Sequence, residues 1–294
     1  MRRRSKRGGE LSASNHEQGV TRVGRAMRKQ RISFRVALTV ASRAVQARDW
    51  AMRRIPGRRA QAAHEWAAAG SIQSGKSLLD AVFVAPGDAA KSAVLICHGI
   101  GEIVPQWFPI QELLAERGVA SLVFDYSGYG RSTGTIDWSQ FERDSIAAFD
   151  RLKELAPQLP LSLLGFSLGT GIAAAIAGNV SAERLVLCAG FTSFRDAARA
   201  AWVPGWLSPL VPPIWAARES LRDCCLPVLV VQGDRDKLFN PAMGRELVSH
   251  CGANAEFIQL PARSHNEPFY NPKPHYWGPI ISFLLGEKTS TRQG

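Results

Sequence analysis

The chain has 294 residues, 46% hydrophobic and 21% charged, a balance that builds a core and excludes a mainly disordered protein. The net charge of +11 is unevenly spread: residues 1–64 carry 17 Lys and Arg against 3 Asp and Glu, the rest 19 against 22. A nucleic-acid surface built on basicity is therefore excluded from the main domain, and no nucleic-acid partner is expected.

Residues 1–66 read as a basic extension. Arg2, Arg3, Arg4, Lys6 and Arg7 open it, and from about 21 Arg alternates with apolar residues. The segment 32–52 has the pattern of a basic amphipathic helix. Arg35 and Arg43 interrupt its apolar run, so it is not a signal peptide. Three readings stay open: a solvated extension or overcalled start, an Arg-rich organellar leader, or peripheral contact with anionic membrane through 1–64. No run approaches the roughly 18 apolar residues of a spanning helix, and a cytoplasmic location, with or without membrane association, is expected. Five cysteines without metal spacing, two of them (Cys97 and Cys188) in apolar runs, argue for a reducing compartment.

From about residue 72 strands and helices alternate. Strands are predicted at 78–84, 93–97, 119–124, 161–165, 184–189, 227–232 and 256–260. Helices are predicted at about 106–117, 138–155, 168–178, 194–203, 241–251 and 275–285. Asp137 with Gln140 resembles a capping box, Gly118 a helix C′ residue, and Asn240-Pro241 a cap before a first-turn proline. Runs such as Ala93–Cys97 and Pro227–Val231 are apolar throughout. Strands buried on both faces have that composition, so a mostly parallel sheet flanked by helices is expected over 67–290. A short Pro/Trp-rich cap interrupts it at about 191–226.

Three motifs compete for the chemistry. Gly70-Ser-Ile-Gln-Ser-Gly75-Lys76-Ser77 fits the Walker A pattern, but no β-rich run precedes it and a strand, not a helix, follows. It is read as a polar turn entering the first strand. Two G-x-S-x-G segments remain, Gly130-Arg-Ser132-Thr-Gly134 and Gly165-Phe-Ser167-Leu-Gly169. The motif works on a sharp strand-to-helix turn. Ser167 follows the strand Leu161–Leu164 and precedes a helix of small residues. Ser132 sits in a Gly-rich loop that starts no helix.

A serine nucleophile needs a base, and the base a carboxylate. In strand–helix order the acid and then the His should each follow a strand. Asp236 follows strand 227–232 and His265 follows strand 256–260; Asp234 is the rival acid, read as a turn residue. His250 and His275 read as surface residues. Two backbone N–H donors should face the forming oxyanion. Leu168, next after Ser167, supplies one, and Ile100 in Cys97-His98-Gly99-Ile100-Gly101 the other, with His98 bracing the loop.

Together these residues carry a family resemblance. His98-Gly99, Phe124-Asp125-Tyr126-Ser127-Gly128-Tyr129-Gly130-Arg131-Ser132, Gly165-Phe-Ser167-Leu-Gly169, Gly233-Asp-Arg-Asp236 and Ser264-His265-Asn266 resemble the α/β-hydrolase superfamily over about 72–286. The nearest likeness is its compact serine-aminopeptidase-like, or BEM-type, branch. Ser127 stands where that family often has Arg, and Ser264 where it often has Gly. The resemblance implies a Ser167–His265–Asp236 triad cleaving an ester or thioester through an acyl-enzyme, with no metal or organic cofactor. The alternatives are a serine peptidase or amidase on the same triad, or a non-catalytic binding protein. Trp107, Phe108, Phe166, Trp202, Trp206 and Trp215 either line an apolar pocket for a small acyl substrate or fill core.

Overall fold

The computed structural model describes residues 67–287, Trp202 apart. The expectations for the extension, its amphipathic segment and its membrane contact lie outside the described residues. So does the pocket candidate Trp202.

Eight strands form one sheet in the order β1-β2-β4-β3-β5-β6-β7-β8. They are β1 (Ala67–Ser74), β2 (Ser77–Val84), β3 (Ser92–Cys97), β4 (Val119–Phe124), β5 (Leu161–Phe166), β6 (Arg184–Cys188), β7 (Val228–Gly233) and β8 (Ala255–Leu260). β1 and β2 pair antiparallel, β2 joins β4 antiparallel, and every later pairing is parallel. The helices are α1 (Phe108–Ala115), α2 (Trp138–Leu155), α3 (Leu168–Ile176), α4 (Phe194–Ala200), α5 (Ala217–Arg222), α6 (Pro241–His250), α7 (Glu267–Tyr270) and α8 (Pro274–Leu284).

The continuous apolar runs do what their composition requires. Along β3, Ala93, Leu95 and Cys97 enter one apolar layer, while Val94 and Ile96 enter the other. Both layers are covered by helices, and every residue of β3, β4, β5 and β7 is buried. At about 25 cal/mol per Å² of apolar surface, each large aliphatic side chain so placed contributes roughly 1.5–3 kcal/mol. That holds the carboxyl ends of the parallel strands rigid, and there the loops converge.

The Walker-like segment is the β1–β2 hairpin. Its turn falls at Gly75-Lys76, with Gly75 at φ +55°, and Ser74 pairs with Ser77. A phosphate-binding loop needs a helix leaving it, and here a second strand, β2, leaves instead. The polar turn expected over Gly70–Ser77 is confined to Gly75-Lys76, and β1 is a strand not expected from the sequence; its Ala-Ala-Ala-Gly-Ser composition has little strand preference, and pairing along β2 supplies the order instead.

At α2 the capping differs from the expected box. Asp137 accepts from the Ser139 N–H, while the Gln140 amide reaches Ser74 Oγ and the Asp144 carboxylate. Asn240 caps α6 through the Ala242 N–H, with Pro241 first in the helix. Among the described residues no helix is long and apolar enough to cross a membrane.

Candidate active site

β5 ends against α3 in a turn that only a few residues can occupy. Ser167 sits there at φ 51°, ψ −116°, a conformation that costs a non-glycine residue about 1–3 kcal/mol. Its N–H still bonds Cys188 O at 3.0 Å, as if the strand continued. The flanking glycines allow the close approach of backbones. A Cβ on Gly165 would lie 2.4 Å from Gly169 O, and one on Gly169 would lie 1.9 Å from Cys97 O. α3 begins at Leu168, whose N–H has no partner one turn earlier in the helix.

His265 is carried on the loop after β8. Two backbone bonds stitch that segment to the loop after β7: Asp234 N–H to Leu260 O at 3.0 Å, and Arg235 N–H to Arg263 O at 2.9 Å. Arg263 pairs with Glu267 at the start of α7, closing the turn around His265. His265 Nε2 lies 2.9 Å from Ser167 Oγ, and Nδ1 lies 2.7 Å from Asp236 Oδ2. The Asp236 side chain is fully buried and the His265 side chain 12% exposed, so this line of two hydrogen bonds is dry at its acid end.

Asp236 has three further donors in its own surroundings, all within four residues of it. Oδ1 accepts the Leu238 and Phe239 N–H groups at 2.9 and 2.8 Å, and Oδ2 accepts Gln232 Nε2–H at 2.9 Å. Gln232 also donates to Phe239 O and accepts from Gly190 N–H. Its role was missed in the sequence. The signal was a single amide ending an otherwise apolar strand, Val-Leu-Val-Val-Gln232. Asp234, the rival acid, is exposed. The ring of His265 is flanked by Phe166 and Phe239, at 5.7 and 5.1 Å between centroids.

The loop after β3, the strand next to β5, carries Ile100. His98 is completely buried, and burial pulls its imidazole down to about 4. It is thus neutral, with Nδ1 2.9 Å from Gly99 O and its ring 4.4 Å from that of Tyr126. Tyr126 donates to His98 O at 3.1 Å. These contacts tie the loop to the segment after β4. Asp125 Oδ1 accepts the Val104 N–H at 2.8 Å and adds a second tie.

The pocket candidates separate. Phe166 borders an apolar cavity of about 20 Å³, room for about one water, behind His265; Cys188, Phe269 and Trp277 also line it. Trp107 is fully buried and packs on Phe166 and Phe269, at 5.9 and 4.5 Å. Phe108 starts α1, half-buried against the same layer. Trp215 fills core between α2 and α3, stacked near Phe141 and bonded through Nε1 to Glu142 Oε1 at 3.0 Å. Trp206 stands 78% exposed on the 3-10 segment Gly205–Leu210, at the surface and not in an enclosed pocket. Large apolar side chains with no polar company do not announce which layer they will fill. Among the described residues no group of three His, Cys, Asp or Glu side chains is disposed to hold a metal ion.

Comparison with known proteins follows the same outline. The family model for serine aminopeptidase, S33, matches residues 88–224. Lysophosphatidylserine lipase ABHD12 of Rattus norvegicus is 24% identical over 209 residues, 63% of this chain and 52% of that protein. Protein bem46 of Schizosaccharomyces pombe is 29% identical over 179 residues, 58% of each. An uncharacterized protein of Mycobacterium tuberculosis is 28% identical over 180 residues, 60% of this chain and 63% of that one. The chain thus spans between about half and just under two thirds of the length of these curated relatives. In structure it is similar to a Pyrococcus furiosus esterase, with a TM-score of 0.61 at 21% identity over 75% of this chain and 90% of that one. The chain has the α/β-hydrolase fold, and the family model together with the ABHD12 and bem46 relatives supports a BEM46-type serine hydrolase branch.

Proposed function

We propose that the protein is an acyl hydrolase that cleaves an ester or thioester of a small acyl substrate through Ser167. The observation that carries this reading is the hydrogen-bonded line from Ser167 Oγ through His265 to Asp236, set at a strained strand-to-helix turn.

His265 Nε2 takes the Ser167 proton as Oγ attacks the carbonyl carbon. Asp236, held by Gln232 and two backbone N–H groups, keeps Nδ1 protonated and stabilises the imidazolium. The N–H groups of Leu168 and Ile100 receive the oxyanion; one such donor is typically worth 10²–10³ in turnover. His265 then protonates the leaving alkoxide or thiolate. Water, deprotonated by the same imidazole, releases the acid and restores Ser167. The residues beside His265 are apolar, Phe166 and Phe239, which favours an acyl chain over a charged peptide end. Peripheral contact with anionic membrane through residues 1–64 is part of the proposal, since basic residues interleaved with apolar ones are attracted to such surfaces.

The test uses a fluorophosphonate probe and matched chromogenic substrates. Labelling at Ser167 with hydrolysis of p-nitrophenyl esters is expected. Labelling with turnover confined to aminoacyl anilides would make the protein a peptidase or amidase. No labelling would leave a non-catalytic binding protein.

A further inference from the structure

The loop after β3 holds a carboxyl that the hydrolytic steps do not use. Glu102 is 6% exposed, and its Oε2 accepts the Gly99 N–H at 2.7 Å. The carboxyl lies directly on that peptide: a Cβ at Gly99 would stand 2.9–3.1 Å from three of its atoms. At the far end of the same loop Asp125 accepts the Val104 N–H. Two buried carboxyls therefore pin the segment 99–104 by a backbone N–H at each end. Ile100, between them, is the residue whose N–H is assigned to the oxyanion.

We infer that Glu102 is a positioning residue for the oxyanion loop, fixing the Gly99 peptide so that the Ile100 N–H faces Ser167, and that ionisation of Glu102 lowers the rate. The inference rests on the reading of Ser167 as nucleophile and Ile100 as donor. A lone hydrogen-bond acceptor at this point matters because donors act only when already in place as charge develops.

The charge state follows from burial. Loss of water pushes the Glu102 carboxyl up to about 8, and the Gly99 N–H and the Trp107 indole offset only part of that. At pH 7 Glu102 is neutral, and Oε2 accepts as a carbonyl oxygen. Among the described residues, the titratable groups around it bring no compensating positive charge in the range where it ionises. Burial holds His98 down at about 4, pushes Cys97 up to about 12, and keeps Tyr126 well above its ordinary value. Asp125 and Asp144 are carboxyls. As pH rises through about 8, a negative charge appears one peptide from the donor that must stabilise another. The part of the rate that depends on Glu102 is therefore full below that pH and declines above it.

The test is the rate of fluorophosphonate labelling across pH, on the full chain and its E102Q and E102A variants. In that reaction the Ser167 Oγ–P bond forms, the P–F bond breaks, fluoride leaves and His265 takes the hydroxyl proton. Circular dichroism checks folding, and S167A gives the blank. The wild-type rate should fall about tenfold over one to two pH units above 8, and E102Q should lack that limb because Gln accepts the same N–H and cannot ionise. E102A, with no acceptor, should label about 10²-fold more slowly at pH 7, and E102Q should keep more of the rate than E102A. An E102Q profile with the wild-type alkaline limb overturns the inference, as does a folded E102A that labels at the wild-type rate. If E102A does not fold, the E102Q profile decides. A wild-type protein with no Ser167 adduct at any pH overturns the nucleophile assignment and this inference with it. An adduct with an unaltered E102Q profile overturns the inference alone.

Discussion

The two G-x-S-x-G segments have the same pattern and opposite physics. Around Ser132 the glycines supply left-handed backbone: Gly130 stands at φ +46° and Gly134 at φ +88°. Around Ser167 it is the serine that takes positive φ, and the glycines supply room between backbones. The Ser132 hydroxyl is spent on the main chain, donating to Asp125 O at 2.6 Å and accepting the Asp80 N–H at 2.8 Å. The Ser167 hydroxyl meets only a base, His265 Nε2. One segment is a staple along β2, where Thr133 also exchanges bonds with Leu78. The other is a pedestal. A motif is thus read by which of its residues bears the strain and where its hydroxyl points.

The sharpest way to break that contrast is to remove each hydroxyl. Ser167→Ala should lower turnover of a p-nitrophenyl ester by about 10⁶, the usual cost of losing a nucleophile that acts with its base as a unit. Measured turnover of Ser167→Ala within tenfold of wild type would move the nucleophile elsewhere.

Next in size is the acid. Asp236 Oδ1 already receives two backbone N–H groups. In Asp236→Asn the amide oxygen must therefore stay on that side, and the NH₂ must face His265 Nδ1. Nδ1 then has to accept, the proton moves to Nε2, and the imidazole can no longer take a proton from Ser167. A loss of roughly 10⁴ in turnover is expected. Asp234 is exposed, and Asp234→Asn should stay near wild type. Steady-state kinetics of the two variants, with the opposite ranking, would reassign the acid.

How much of this was legible depended on how local the information was. β2 to β7 were legible as predominantly apolar runs bounded by turn residues, and β8 (Ala-Glu-Phe-Ile-Gln-Leu) from the Phe-Ile pair at its centre. Ser167, Asp236 and His265 stand out in the sequence because each follows such a run, and the structure brings their side chains within hydrogen-bond distance. β1 was not legible, since its order comes from β2. Nor were α5 and α7, six and four residues long, which are too short to be stable without the contacts that surround them. Gln232 and Glu102 carry no motif of their own. Their roles arise from what the chain brings beside them, 42 residues away for the Gly190–Gln232 bond and three for Gly99–Glu102.

The glycines sharpen the comparison further. A methyl on Gly169 meets the Cys97 carbonyl, which is buried backbone at the end of β3 and has nowhere to go. Gly169→Ala should cost roughly 1–3 kcal/mol or more. It should also push the β3 loop, with Ile100, away from Leu168. Stability by urea titration and activity should fall together. A variant as stable and as active as wild type would show that the close approach of α3 to β3 is not required.

The smallest effect is expected at Ser132. Ser132→Ala removes one hydroxyl that bridges the Asp80 N–H and Asp125 O, in a site only partly buried. Water can replace part of what is lost, and the neighbouring bonds from Thr133 to Leu78 and from Arg131 to Asp80 remain. A cost of about 1 kcal/mol is therefore expected. It should appear as a lower urea midpoint with an unchanged slope, because the surface exposed on unfolding is the same. Labelling of Ser167 by fluorophosphonate should keep its rate, since Asp125 continues to accept the Val104 N–H through a side-chain oxygen that Ser132 does not touch. If labelling slowed tenfold or more while the midpoint stayed put, the loop after β4 would be part of the reacting site, and the two segments would not be staple and pedestal but halves of one machine.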